Sequence, residues 1–282
     1  MRRRVVRCTG LACAVMALWF VAFTEVAVGS LRPPAPGQAA TAGRWVPPRT
    51  ADGHPDLQGF WEYGGSYFIE GHPADAWTPR ATKSLIVDPP DGKIPYQAWA
   101  VGKNRQNEET FIDPYANCQS GVPRQVFSPR GHQIIQTPGR VVILSEWAHV
   151  YRVIPTDARP HLPDKIRLFM GDSRGHWEGD TLVVDVTNLT DKTWFDHAGN
   201  FHSDALHVVE GVTLVDANTI QYEVTLDDPK VYTRPWKIAF PLRRMEQGHE
   251  VWEEPCHEAN EDLIHMRNLG LKTYVGISGI PR

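Results

Sequence analysis

The segment Ile220-Gln221-Tyr222-Glu223-Val224-Thr225-Leu226 alternates apolar and polar residues without a break. A period of two commits it to a strand with one buried face, shared by Ile220, Tyr222, Val224 and Leu226. It follows Leu206 to Val215 across Asp216-Ala217-Asn218-Thr219, a hairpin turn by composition. Ile134-Ile135, Val141 to Leu144 and Val150 to Ile154 are further short apolar runs, cut by Thr-Pro-Gly and Pro-Thr-Asp. Trp236 to Phe240 and Glu250-Val251-Trp252-Glu253 repeat the alternation, and Phe60-Trp61 opens a first strand. No ten-residue helical pattern separates these strands, so a parallel βαβ sheet is not expected. The expectation is a mainly β, antiparallel barrel-like domain, lipocalin-like or sandwiched, with one or two short helices. The helical candidates are Tyr96 to Glu109, opened by Pro95 and closed by Asp113-Pro114, and Glu258 to Met266. Trp61, Trp147, Trp177, Trp194, Trp236 and Trp252 are expected to fill the core, with an aromatic-lined ligand cavity as the alternative.

The ends of the chain read differently. Arg2, Arg3, Arg4 and Arg7 precede an apolar run from Leu11 to Phe23 and the small residues Ala27, Gly29 and Ser30. That is the pattern of an export signal over residues 1–30, a permanent anchor helix being the competing reading. Residues 31–52 are rich in Pro, Ala and Gly and read as a tether, leaving 53–282 as one β-rich domain. Removal of the signal takes away four arginines and one glutamate, so the net charge falls from −4 to about −7. A mildly acidic chain without a Lys/Arg block argues against nucleic acid or an anionic membrane as partner. A periplasmic or secreted location follows, with a small molecule as the expected partner. Two of the four cysteines leave with the signal; Cys118 and Cys256 remain and are expected to form a disulfide, a free Cys118 being the weaker alternative.

Two clusters carry candidate chemistry. In a strand, Leu206, Val208, Glu210, Val212 and Leu214 share one face, which turns Glu210 inward while His207 faces out with Val209. With Asp204 nearby, Glu210 is either an acid/base group or one half of a structural ion pair with Arg152 or Arg124. Glu146, His149 and Arg152 form the second cluster; alternation puts Glu146 and Arg152 on one face, where a carboxylate and a guanidinium would orient a substrate oxygen. His197, His202 and His207 recur every five residues, but that spacing suits no metal-ligand pair, and neither metal nor cofactor is expected. Asp172, Arg174, Glu178 and Asp180 are read as hairpin-pinning residues.

Ile86 to Tyr96, Asp113-Pro114-Tyr115-Ala116-Asn117-Cys118 with Gly121-Val122-Pro123-Arg124, Met170 to Asp185, Asn200 to Glu210 and Asp228 to Trp236 stand in one order along nearly the whole mature chain. In these motifs the chain resembles a large family of secreted bacterial proteins with no assigned chemistry. The family's Arg after the position of Glu210 is Gly211 here, and its Gly is Ala158; an arginine partner of Glu210 would be lost with the first change. Two functions compete. One is a cofactor-free acid/base enzyme, an isomerase, lyase or hydrolase, acting on a small, largely apolar substrate with Glu210, His207, Asp204, Glu146, His149 and Arg152 as its groups. The other is a binding or carrier protein in which the same charges orient a hydrophobic ligand.

Overall fold

A computed structural model describes residues 45–277 apart from 66, 76–79, 128–129 and 259. The expected export signal and the tether as far as residue 44 lie outside the described residues. In the tether's last part, Arg49 forms a β-bridge with Pro55 and an ion pair with Asp180 at 2.6 Å.

The chain opens with β1 (Gly59–Glu62) and β2 (Ile86–Asp88), then α1 (Lys103–Thr110), β3 (Phe111–Ile112) and α2 (Arg124–Phe127). A meander follows: β4 (His132–Thr137), β5 (Arg140–Ser145) and β6 (Tyr151–Pro155). The second half runs β7 (Asp172–Glu178), β8 (Thr181–Thr187), β9 (His207–Asp216), β10 (Thr219–Asp227) and β11 (Trp236–Arg244), ending in α3 (Asp262–Asn268) and β12 (Lys272–Thr273). The main sheet has the order β6-β5-β4-β1-β11-β10-β9-β8-β7, with β2 added against β11. Every pairing in it is antiparallel, and the sheet curls into a nearly closed barrel, as the alternation led one to expect.

Closure brings β6 and β7, the two ends of that order, face to face. Gly175 of β7 permits it: a Cβ there would stand 2.9 Å from Cγ2 of Ile154 on β6. The interior is laid down in layers by strand register. Leu182, Val212, Tyr222 and Phe240 lie abreast, and below them Val184, Glu210, Val224 and Ile238. All eight are buried, with Trp61 and Trp236 adding two indoles at 0 % exposure. Each such large apolar side chain contributes roughly 1.5–3 kcal/mol on burial, so the barrel is a packed core.

Two local expectations change and one holds. The first helix starts at Lys103, not Tyr96, because Gly102 takes φ 77° and breaks the run. Glu250 to Glu253 is a loop without strand pairing, and Trp252 is 71 % exposed, outside the core. Cys118 and Cys256 form the expected disulfide, which ties the Asp113–Arg124 region to the chain ahead of α3.

Candidate functional site

The inward carboxylate is where alternation placed it. Glu210 is 1 % exposed between Val184 and Val224, and its charge is answered by Arg152, which reaches in from β6. Nη1 of Arg152 donates to Oε1 of Glu210 at 2.9 Å and Nη2 to Oε2, while its Nε donates to Oγ of Ser173 at 2.8 Å. Tyr222 adds its hydroxyl to Oε1. Burial pushes the Tyr222 phenol well above its usual range, and the Glu210 charge pushes it the same way. Both carboxylate oxygens are therefore occupied, in a layer filled by valine and isoleucine. This quartet spans β6, β7, β9 and β10, and its effect is to lock the seam of the barrel. Residue 211 points the other way from Glu210, so an arginine there would not have been its partner; Arg152 is.

His207 faces out, half exposed, as alternation required, and belongs to a different set of contacts. Its Nε2 lies 2.7 Å from Asp185, whose other oxygen meets Nε2 of His161 at 2.8 Å. Nδ1 of His161 meets Asp172 at 2.8 Å, and Asp172 pairs with Arg174 at 2.6 Å. Both ring nitrogens of His161 thus face carboxylate oxygens. This chain of contacts fastens the segment around His161 to the outer face of β7 and β8. Asp204 is apart from it, paired with Lys230 at 2.8 Å and with Arg167 at 3.9 Å.

Glu146 and Arg152 do not share a site. Glu146 follows the end of β5, and the chain reverses through Ala148 and His149 at φ 57° and 53° before β6 begins. That reversal breaks the parity on which the expectation rested. His149 is exposed, and the imidazole that meets Glu146 is His249, with Nε2 at 3.0 Å.

A third set of groups comes from the Asp113-to-Arg124 motifs and was not among the expected site residues. Arg124, 4 % exposed, grips Asp113 with both ends of its guanidinium at 2.8 and 2.7 Å and lies 4.4 Å over the Tyr115 ring. Tyr115 is fixed in turn by its amide on Oδ1 of Asp113 and by stacking on Trp147, centroids 3.6 Å apart. Burial opposes the Asp113 charge, but Arg124 and His197 outweigh it and hold the carboxyl well below the usual carboxylate range. His197 completes the set with Nδ1 at 2.8 Å from Oδ2 of Asp113 and 3.1 Å from Nη2 of Arg124. The contact to the carboxylate is the shorter, and Nη2 is already committed to Asp113, so Nδ1 donates to Asp113.

That arrangement leaves Nε2 of His197 without a hydrogen bond among the described residues, on a side chain 39 % exposed. Around it stand the rings of Tyr67 at 5.2 Å, Phe68 at 6.2 Å and Tyr115 at 6.3 Å. Asp196 sets this spacing. One of its oxygens accepts the amides of Ala198 and Asn200 beyond His197, and the other accepts the amide of Ile69, next to Phe68. A buried carboxylate thus joins the histidine loop to the aromatic wall. Gly121 lets the Arg124 loop come close, since a Cβ would lie 2.7 Å from Oγ1 of Thr193.

An imidazole whose inner nitrogen is fixed by an ionised carboxylate, and whose outer nitrogen opens to solvent between aromatic rings, can accept and return a proton. The other two recurrent histidines lie elsewhere. His202 is buried on Thr193 and the Ser203 carbonyl, and His207 is on the strand face described above. Among the described residues no three His, Cys, Asp or Glu side chains stand where they would hold one metal ion. In the sequence, Asp113 and Arg124 stand in the segments 113–118 and 121–124, and His197 stood out only in the five-residue histidine spacing, which pointed to neither of them. No known family model and no curated protein matches the chain.

Proposed function

We propose that the protein is an exported acid/base enzyme of the secreted bacterial family whose motifs it carries, acting on a small, largely apolar substrate with His197 as the proton-transfer group. The observation that carries this reading is the Arg124–Asp113–His197 arrangement, in which a buried ion pair orients an accessible imidazole. Asp113 fixes the orientation of the ring, and Arg124 keeps Asp113 ionised and in place. Tyr67, Phe68 and Tyr115 offer the apolar contact for the substrate. Glu210 and Arg152, the groups that first suggested interior chemistry, are assigned to holding the barrel together, and the site moves outside it. The Cys118–Cys256 bridge supports an oxidising compartment.

The test is a screen of small aromatic esters and ketones, reading hydrolysis and solvent-deuterium incorporation for wild type, His197→Gln and Asp113→Asn. General acid/base catalysis is worth roughly a hundredfold to ten-thousandfold, so a substrate found with wild type should lose at least a hundredfold in rate with His197→Gln, at unchanged thermal stability. Turnover retained by His197→Gln overturns the assignment. A compound bound but left unchanged by wild type turns the reading to a carrier.

A further inference from the structure

The loop after β11 carries chemistry that the His197 site leaves unused. It encloses a hollow of about 320 Å³ lined by Glu246, Gln247, Gly248, His249, Glu250 and Trp252. The hollow is fixed from behind by Glu146, 8 % exposed. Oε1 of Glu146 accepts Nε2 of His249 at 3.0 Å and the amide of Trp252 at 3.1 Å, and Oε2 accepts the amide of Gly131 at 2.9 Å. One carboxylate therefore positions both ring-bearing residues, whose planes lie 8° apart with centroids separated by 6.5 Å. Phe60 meets the His249 ring edge-on at 5.4 Å and braces it further. Trp252 is 71 % exposed, so the indole of a residue whose backbone is anchored stands open to a ligand beside the two carboxylates of the hollow.

The charge around it narrows what that is. Neither Glu246 nor Glu250 has a cationic partner among the described residues. His249 spends its Nε2 hydrogen on Glu146, which leaves Nδ1 as an acceptor. The hollow thus offers two carboxylates, an imidazole acceptor and the face of an indole. An anion would meet repulsion, and a neutral apolar ligand would leave the carboxylates unused. An indole is the best aromatic partner for a cation, and the volume is at the small end of ligand sites.

We propose that this hollow is a second binding site, for a small organic cation of the alkylammonium class, held on the face of Trp252 with Glu246 and Glu250 as counter-charges. The site is separate from His197 and stands whether or not that residue catalyses.

The experiment uses tetramethylammonium as the probe, followed by saturation-transfer NMR on its methyl protons, with sodium chloride at equal ionic strength as control. Wild type should bind saturably in the millimolar range. Trp252→Ala, an exposed position whose loss leaves the fold intact, should weaken binding by roughly two- to fivefold, and Glu246→Gln/Glu250→Gln should weaken it several-fold and flatten its dependence on salt. No saturable binding by wild type, or equal binding by Trp252→Ala with a native melting curve, overturns the proposal. Weakening by Trp252→Ala with no effect of the double glutamine variant also overturns it, because the ligand would then be recognised as an apolar group and not as a cation.

Discussion

Glu210 and His197 show how the same residue types serve opposite ends. Glu210 has every oxygen engaged by Arg152 and Tyr222 and no route to solvent. Its substitution is a stability experiment. Glu210→Gln leaves the Arg152 guanidinium buried without its anion, and the expected loss is about 3–5 kcal/mol in denaturant unfolding, while the double change Glu210→Leu/Arg152→Met costs much less. A Glu210→Gln protein as stable as wild type would remove the structural role assigned here. Ala158 occupies φ 59°, a left-handed conformation that glycine takes without penalty.

At the level of elements, the strands were legible because a period of two survives from sequence into structure. β10 has Ile220, Tyr222, Val224 and Leu226 all at 2 % exposure or less, and β9 turned Glu210 in and His207 out as counted. Parity fails wherever the chain turns. The reversal at Ala148 and His149 separated Glu146 from Arg152, and the loop at 250–253 alternates in composition but has no neighbouring strand to pair with. The His197 site was illegible for another reason: Asp113 follows β3, Arg124 opens α2 and His197 sits on a loop, the three are brought together by Asp196 and by the approach at Gly121, and no local pattern encodes that meeting. The disulfide acts at this scale too. It joins residues 138 apart in sequence, so Cys118→Ser should lower stability by roughly 5 kcal/mol in the loop-entropy relation, read as a shift in the denaturant midpoint; an unshifted midpoint would mean that the bridge constrains nothing the fold does not already hold.

Across the whole molecule, the barrel has consequences for acid stability. His132 is buried; its Nε2 donates to the Val126 carbonyl at 3.1 Å, and Nδ1 of the neutral ring accepts the Ser145 hydroxyl at 2.9 Å. Burial pushes its pKa down to about 4. The unfolded chain therefore takes up this proton before the folded chain does. Stability from this group is complete above pH 6.5 and is lost as pH falls toward 4, by roughly 3 kcal/mol in all. Asp113, held below the usual carboxylate range, extends the loss to lower pH. Its contribution is present above the unfolded carboxylate pKa and disappears as the folded carboxyl protonates. Denaturant midpoints taken across this range should fall more shallowly for His132→Gln than for wild type; identical slopes would exclude His132 as a cause.

The central claim is that His197 presents an unprotonated outer nitrogen because its inner nitrogen gives its hydrogen to Asp113. Long-range ¹H–¹⁵N correlation spectra at neutral pH measure this tautomer directly, with the His197 signals identified by their loss in His197→Gln. The account predicts hydrogen on Nδ1 and a lone pair on Nε2. Hydrogen on Nε2 with none on Nδ1 would mean that Nδ1 accepts from Arg124 and that the exposed nitrogen is no base, and it would contradict the proposed function at its source.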